Sequence, residues 1–516
     1  MATQWQTFPI EFRGGLISNM SPLQQGTNAV GSATILQNFT PNKEGGYSRI
    51  NGYEKYSASV IPGSGPVLAA HIISAGRMVV ARKNLSNYTE WYYGTGSSWN
   101  SMAVSPTTGG SKARWVTFDI SGEAKTIFVD GVNFPGVYSP DAPNTFNFMS
   151  AANSPEIVGS SYVAVFKSTT FYAKGTVLYF TAPFSMDDFS PANGAGTINV
   201  LDDITGLAVF RDQLVVFTKT SVKRITGSSA ADFLVSPITD RIGCISGDSI
   251  QEVGGDIMYL APDGLRLLSA TDRIGDFGLD IASDSIFKDA NTFVASSQNF
   301  CSVVFREKAQ YRIFSYIESE SHITSKGLST TKFQSQGGSG FSWSTIKGIK
   351  AFVADSKISG NSEVSVFANE DGYLYKLDTG NSFDGNSIEA IYESPFMSIN
   401  DPQVRKTFYK VVLYVDPRGA MDIKLNLKYD FASKTDTSIV QPDTVQVIGN
   451  SGAVVIFGAT NAVFGSSNFG GEIDRVYSSN VVGSGKTISL RIEDNSTNPS
   501  FSLDTAVIEY RTNDRQ

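Results

Sequence analysis

The apolar positions of this chain come in short runs closed by turns. Between Gly206 and Leu268 three runs, Gly206-Leu-Ala-Val-Phe210, Gln213-Leu-Val-Val-Phe217 and Val222-Lys-Arg-Ile225, are separated by Arg211-Asp212 and Thr218-Lys-Thr-Ser221. Ile257-Met-Tyr-Leu-Ala261 then meets Pro262-Asp263-Gly264 and Leu265-Arg-Leu-Leu268. Proline presets φ at the first turn position, and glycine takes the φ > 0 position that other residues resist. Runs of this length, rich in β-branched and aromatic residues and bounded by such turns, predict strands of antiparallel hairpins. A helix needs about ten or more residues of 3.6-period pattern, and this stretch has none. Similar strand anchors start at Val79, Ile127, Val177, Leu214, Ile257, Tyr311 and Val366, at gaps of 48, 50, 37, 43, 54 and 55 residues. Repeats of about 40–50 residues with four strands each predict a β-propeller, because one blade cannot cover both its faces and a ring of blades can. A set of β-sandwiches is the alternative.

The two ends of the chain have other rhythms. Residues 1 to 60 are not blade-like, and Asn51-Gly52 predicts a type I′ hairpin leading into the first blade. Near the C-terminus Ile423, Leu425, Leu427 and Tyr429 alternate with Asp422, Lys424, Asn426 and Lys428. Ile488, Leu490 and Ile492 alternate with Thr487, Ser489, Arg491 and Glu493. Strict period 2 puts one face in a core and the other in water. The expected fold is all-β: an N-terminal arm and hairpin (1–60), a β-propeller (61–387) and a C-terminal antiparallel β-sandwich domain (388–516). The last carries an apolar, Gly-rich insertion within 430–485. The segment Ser451 to Gly471 of that insertion is either a hairpin packed on its own domain or an assembly surface.

Gly14-Gly15-Leu16, Asn38, Gly45-Gly46 and Arg49-Ile50-Asn51-Gly52-Tyr53 follow one another in an order and spacing that resembles the start of the tail nozzle or tail hub proteins of short-tailed bacteriophages, also called tail tubular or stabilisation proteins. Many members have a tighter Arg-Pro-Gly-Tyr spacing; this chain has an extra residue and Asn51. Leu178 to Phe189 with Ile204 to Phe217 is similar to the family's mid-chain blades. Asp371 to Asp378, with Ser382-Phe-Asp-Gly385 and Arg405-Lys406, is similar to its exit from the propeller. The resemblance implies a virion structural protein, a hexameric ring with a tail adaptor above it and fibre or spike proteins beside it. It also implies contact with the host envelope and genome ejection through the assembly; the balance of 49 acidic against 41 basic residues predicts that DNA passes without specific binding.

Composition narrows the chemistry. The formal charge is −8, from 49 acidic against 41 basic residues, which argues against a nucleic-acid backbone as a tightly bound ligand. Two cysteines, Cys244 and Cys301, make neither a disulfide framework nor a zinc site and read as small buried residues. The N-terminus shows no basic region before an apolar run, and no run approaches the ~18 apolar residues of a membrane helix. Synthesis in the host cytoplasm is expected.

Each candidate for chemistry has a plainer explanation. Gly485-Lys486-Thr487 ends like a phosphate loop, but Asn480 stands where the first glycine belongs and a strand follows. The only histidines, His71 and His322, lie near no motif; His71 follows an apolar strand start and reads as structural. Asp187-Asp188 and Asp202-Asp203 point to opposite faces if on strands and read as turns. Asp378 to Gly385 lacks the glycine and glutamate of a calcium loop. The expectation is a non-enzymatic chain with no catalytic, cofactor or metal residues. The competing reading is a propeller hydrolase, or a carbohydrate-binding protein, acting on host surface polysaccharide.

Overall fold

The computed structural model describes residues 5–513 except 75, 95, 97, 103–106, 121, 141–144, 150–154, 270–280, 298, 336–337, 432–444 and 449–474. The fold is mostly β, with two short α-helices, Pro22–Asn28 and Phe287–Ser296, among the described residues. Seven antiparallel sheets follow one another along the chain and resemble the blades of a β-propeller. The first runs from Ser64–Ser74 to Thr107–Thr108, and the second from Arg114–Ile120 to Thr145–Phe148. The third runs from Tyr162–Phe166 to Gly196–Asn199, and the fourth from Ile204–Phe210 to Leu234–Thr239. The fifth is Gln251–Val253, Asp256–Ala261 and Gly264–Leu267. The sixth begins a larger sheet with Asn299–Phe305, Gln310–Tyr316, Lys326–Ser335 and Gly338–Lys347. The seventh, Val353–Ser359, Ser362–Ala368 and Leu374–Leu377, takes its fourth strand from Tyr53–Lys55 near the other end of the chain.

Apolar residues on both faces of each sheet explain the arrangement. Trp91 of the first sheet stacks on Phe146 of the second at 4.4 Å. Val129 shares a cluster with Val163 of the third, and Leu178 with Leu214 of the fourth. Phe217 packs on Tyr259 of the fifth, whose Leu260 joins Tyr311 of the sixth. Phe314 meets Phe367 of the seventh, and Val366 returns to Ile72 of the first. The cycle closes, so every sheet has both faces covered. Each such side chain, fully buried, contributes roughly 1.5–3 kcal/mol. The seven sequence anchors fall one in each sheet. Val177 lies on a third strand and the other six on second strands, which accounts for the short gap after it.

The N-terminal residues are not a separate arm. Gln6–Glu11, Phe39–Pro41 and Tyr47–Arg49 join Lys406–Pro417, Val476–Gly485 and Phe501–Thr512 in a six-stranded sheet. Ile35–Gln37 pairs with Gly338–Lys347 on one side and Ile388–Glu393 on the other. It thereby splices the sixth sheet to Ile388–Glu393, Ile488–Ser496, Asp422–Tyr429 and Val445–Ile448, making one sheet of nine strands. The six-stranded sheet and the C-terminal half of the nine-stranded sheet share one core, including Phe408, Leu413, Leu425, Leu490 and Ile508. The alternating strands around Ile423 and Ile488 bury their apolar face here.

The expected Asn51-Gly52 hairpin is corrected. The hairpin lies upstream, Phe39–Pro41 with Tyr47–Arg49, and turns through Gly45 (φ 102°) and Gly46 (φ 81°). Gly52 has no positive φ; a Cβ there would sit 1.8 Å from the Ser382 carbonyl oxygen. A two-residue I′ turn needs its flanking strands to pair with each other. Here Tyr47–Arg49 pairs back with Phe39–Pro41 and on its other side with Ser502 and Leu503, Tyr53–Lys55 pairs with residues 375–377, and Gly52 between them marks a close backbone approach. The insertion Ser451 to Gly471 lies outside the described residues.

Candidate functional site

The first strands of the sheets, or the turns leading into them, face a common axis. Lys112 and Arg114, at the start of the second sheet, reach across it. Arg114 grips Asp248, in the turn before the fifth sheet, through Nε and Nη2, both at 2.9 Å. Lys112 Nζ lies 3.2 Å from the same carboxylate and donates to the Phe300 carbonyl of the sixth sheet at 3.0 Å. The second sheet neighbours neither the fifth nor the sixth, so these contacts span the axis. The Arg114 guanidinium also lies 4.4 Å over the Tyr162 ring of the third sheet. Gln251 of the fifth donates to the Ser302 carbonyl of the sixth at 3.3 Å. His71 of the first places Nδ1 2.8 Å from an Asp355 oxygen of the seventh, which also accepts the Ile72 amide at 2.9 Å. A cavity of about 280 Å³ remains among them.

Burial alone would raise the Asp248 carboxyl, but Lys112 and Arg114 outweigh it and hold the group at about 2. A general acid or base works best with a pKa near the working pH. Asp248 is instead ionised at neutral pH as a clasp between two cations, and Asp355 is taken up by His71. Cys301 lines the same cavity, and burial pushes its thiol up to about 11. Cys244, behind the fourth sheet, is pushed up to about 12. Neither offers a thiolate near neutral pH.

A second constellation sits where the ring meets the C-terminal sheets, and it collects the N-terminal motif. Gly15 donates to the Tyr47 hydroxyl at 3.0 Å, and a Cβ on Gly15 would come within 2.8 Å of the Trp343 backbone. Asn38 is buried at φ 53° and uses its whole amide. Its Nδ2 donates to the Lys347 and Glu389 carbonyls at 3.0 and 2.9 Å, and its Oδ1 accepts the Lys347 amide at 2.9 Å. It thus pins both sheet halves that Ile35–Gln37 joins. Arg49 is buried against Asp494 at 2.6 Å and donates to the Asn498 and Ser496 carbonyls. Burial lowers the guanidinium's pKa and raises the carboxyl's, while their mutual attraction opposes both shifts.

The other residues singled out in the sequence stand apart from both places. Asp188 accepts Ser190 N and Asn193 Nδ2, and these bonds lower its pKa; Asp187 is a neighbour in the same turn, 3.2 Å from the Ser185 hydroxyl. Asp202 accepts the Thr220 amide and hydroxyl, and Asp203 pairs with Lys219. His322 lies 3.9 Å from Asp371 on a surface turn. Lys486 and Thr487 donate backbone amides to Asp430 in the turn after Val476–Gly485, where a strand follows. Asp378 is shared by Lys308 and Arg312, and Asp384 pairs with Lys55. Lys406 is buried, whereas Arg405 is exposed, so the densest basic cluster does not converge. Among the described residues no group of three or more His, Cys, Asp or Glu is placed to hold a metal. Sequence reading missed the axis because Arg114 and Asp248 lie 134 residues apart. The available signal was a polar residue on the first strand of five of the seven sheets: Arg114, Tyr162, Gln251, Ser302 and Asp355.

These features define a class: a mostly-β chain of many four-stranded antiparallel sheets, resembling β-propeller structures. No family model and no curated protein matches the chain. Among solved structures it is similar to the exo-β-1,3-galactanase of Phanerochaete chrysosporium, at 10% identity and a TM-score of 0.26, over 89% of this chain and 100% of that one. It is also similar to the WD40 domain of Neurospora crassa Pan2, at 8% identity and a TM-score of 0.38, over 63% of this chain and 96% of that one. These likenesses concern fold alone.

Proposed function

We propose that this chain is a seven-bladed β-propeller with a C-terminal β-sandwich, and that it serves as a structural subunit of the distal tail tube or nozzle of a short-tailed bacteriophage. The observation that carries the reading is the clasp across the axis. Its carboxylates are spent on Lys112, Arg114 and His71, which favours a scaffold over a hydrolase. It also fills the ring's own centre with groups in contact at 2.8–3.2 Å, so a duplex cannot thread a single protomer. The genome's path then lies between copies, which requires the homo-oligomer that the resemblance implies as a hexamer. The adaptor, the fibre or spike proteins and the host envelope contact the outside of that assembly. Each phosphate neutralised by Lys or Arg adds salt-dependent affinity, and a wall that grips DNA would brake ejection. A chain of net charge −8 suits a conduit that DNA slides past.

Negative-stain images of purified chain, with a duplex-DNA titration at low and physiological salt, test the proposal. Rings with a central hole and no micromolar binding at physiological salt are expected. Lone monomers at every concentration, releasing sugars from host capsule or envelope, would replace this reading with the polysaccharide hydrolase.

A further inference from the structure

The outward faces of the two C-terminal sheets differ. On the nine-stranded sheet the outward side chains form a charged network, with Glu393 2.7 Å from Lys428 and 2.6 Å from Arg491. The six-stranded sheet turns Phe408, Val411, Leu413 and Val415 inward to the core. Charge on its outward side lies mostly toward the ends of the strands, at Glu11, Asp416, Asp504 and Arg511, and the middle rows are poor in it. Pro9, Val507, Val412 and Ser478 stand side by side across four strands. Beside them Tyr414 has Thr505 and Val476 as register partners. A register shift between Phe408 and Lys410 turns Tyr409 out, where its ring meets that of Trp5 at 3.8 Å. Trp5, Tyr409, Tyr414, Val476 and Val482 are 41–76% exposed. Aromatic residues on a face depleted of charge are the composition of an interface core, whereas singly scattered apolar residues are ordinary surface.

We infer that this sheet face is where a second copy of the chain docks. Four strands about 4.8 Å apart and roughly ten residues long, at about 3.3 Å per residue, span on the order of 600 Å². That approaches the roughly 800 Å² per partner of a standard interface. Charge says which partner fits. Across the middle of the face it is confined to Lys410 and Glu509, which are register partners on adjacent strands. A two-fold axis between them sets Lys410 of each copy against Glu509 of the other, so the face complements itself. This rests on the proposed self-assembly and names one two-fold contact within it; closing a ring takes a second, head-to-tail contact.

The test uses the full chain and sedimentation velocity over a concentration series. Wild type should self-associate, and Val412→Asp should weaken association at least tenfold while leaving the thermal melt unchanged. Lys410→Glu makes the middle of the face all acidic, and Glu509→Lys makes it all basic. Neither should self-associate, yet an equimolar mixture should pair, because each contact is then acid against base. A monomeric wild type, variants that associate as wild type does, or a mixture that stays monomeric would each overturn the inference. Pairing through this face without hollow rings would keep the inference and remove the tail reading. Hollow rings together with Val412→Asp association as strong as wild type would do the reverse.

Discussion

Replacing Asp248 by asparagine keeps its shape and removes its charge. Lys112 and Arg114 would then lie at the ring's axis with no carboxylate between them. With the folded pKa at about 2 and an unfolded value near 3.9, the group contributes about 2.6 kcal/mol at pH 7. Breaking a buried pair by removing one partner costs about 3–5 kcal/mol in general, so a loss of roughly 3 kcal/mol is expected. The sign follows from the depressed pKa. The stabilisation is complete above the unfolded value and fades as pH falls toward the folded one. The gap between wild type and Asp248→Asn should be constant from pH 7 to about 5 and shrink to about half near pH 3. Thermal melts of both proteins across that range read it directly. At 2–4 °C per kcal/mol for domains of roughly 150–250 residues, and less for larger ones, the drop at pH 7 is about several degrees. Equal melting points at pH 7, or a gap that does not narrow below pH 4, would refute the clasp as the source of the stabilisation.

Gly52→Val should destabilise the N-terminal attachment, because its Cβ would meet the Ser382 carbonyl at 1.8 Å; limited proteolysis should show new cuts before residue 60, and an unchanged digest removes the close-approach argument. Asn38→Ala removes three hydrogen bonds inside the junction and leaves buried partners unpaired at about 1–3 kcal/mol each. Hydrogen exchange should quicken at Lys347 and Ile391, and protection equal to wild type there would count against the staple. Cys244 and Cys301, buried with thiols pushed to about 12 and 11, should resist a thiol reagent at pH 8 until denaturant is added; rapid labelling of the native chain would contradict that burial.

What the sequence made legible was local. Strand and turn chemistry acts over a few residues, so an anchor could be placed in each of the seven sheets, and Ile423 and Ile488 announced a half-buried sheet by alternation alone. What stayed hidden was pairing at a distance. Ile35–Gln37 is three residues long and has no period to read, yet it joins two sheet halves whose other strands lie some three hundred residues on. Asn51-Gly52 misled for the same reason, since the dipeptide is a strong turn signal only when its flanks pair with each other. The axis clasp combines residues that are each unremarkable in place. Asp248 sits in a polar turn and Lys112 beside a strand start, and only ring closure brings them together.

The N-terminal motif and the fold's closure therefore have one explanation. Gly15, Asn38, Gly46 and Arg49 are not surface features that a partner could read. All four are spent inside, against Trp343, Lys347 and Glu389, Leu503 and Asp494 respectively. Gln6–Glu11 pairs with residues 505–510, and Tyr53–Lys55 with residues 375–377, so the first strands made must wait for nearly the last. Such non-local pairing slows folding, because the closure entropy is lost before the contacts repay it. What it gives is a ring and a C-terminal unit locked by one segment that belongs to both. Force applied to the ring then reaches the C-terminal sheets through a hydrogen-bonded ladder and the Asn38 staple. A loose linker would carry no such load, and the conduit role proposed above would draw on that rigidity.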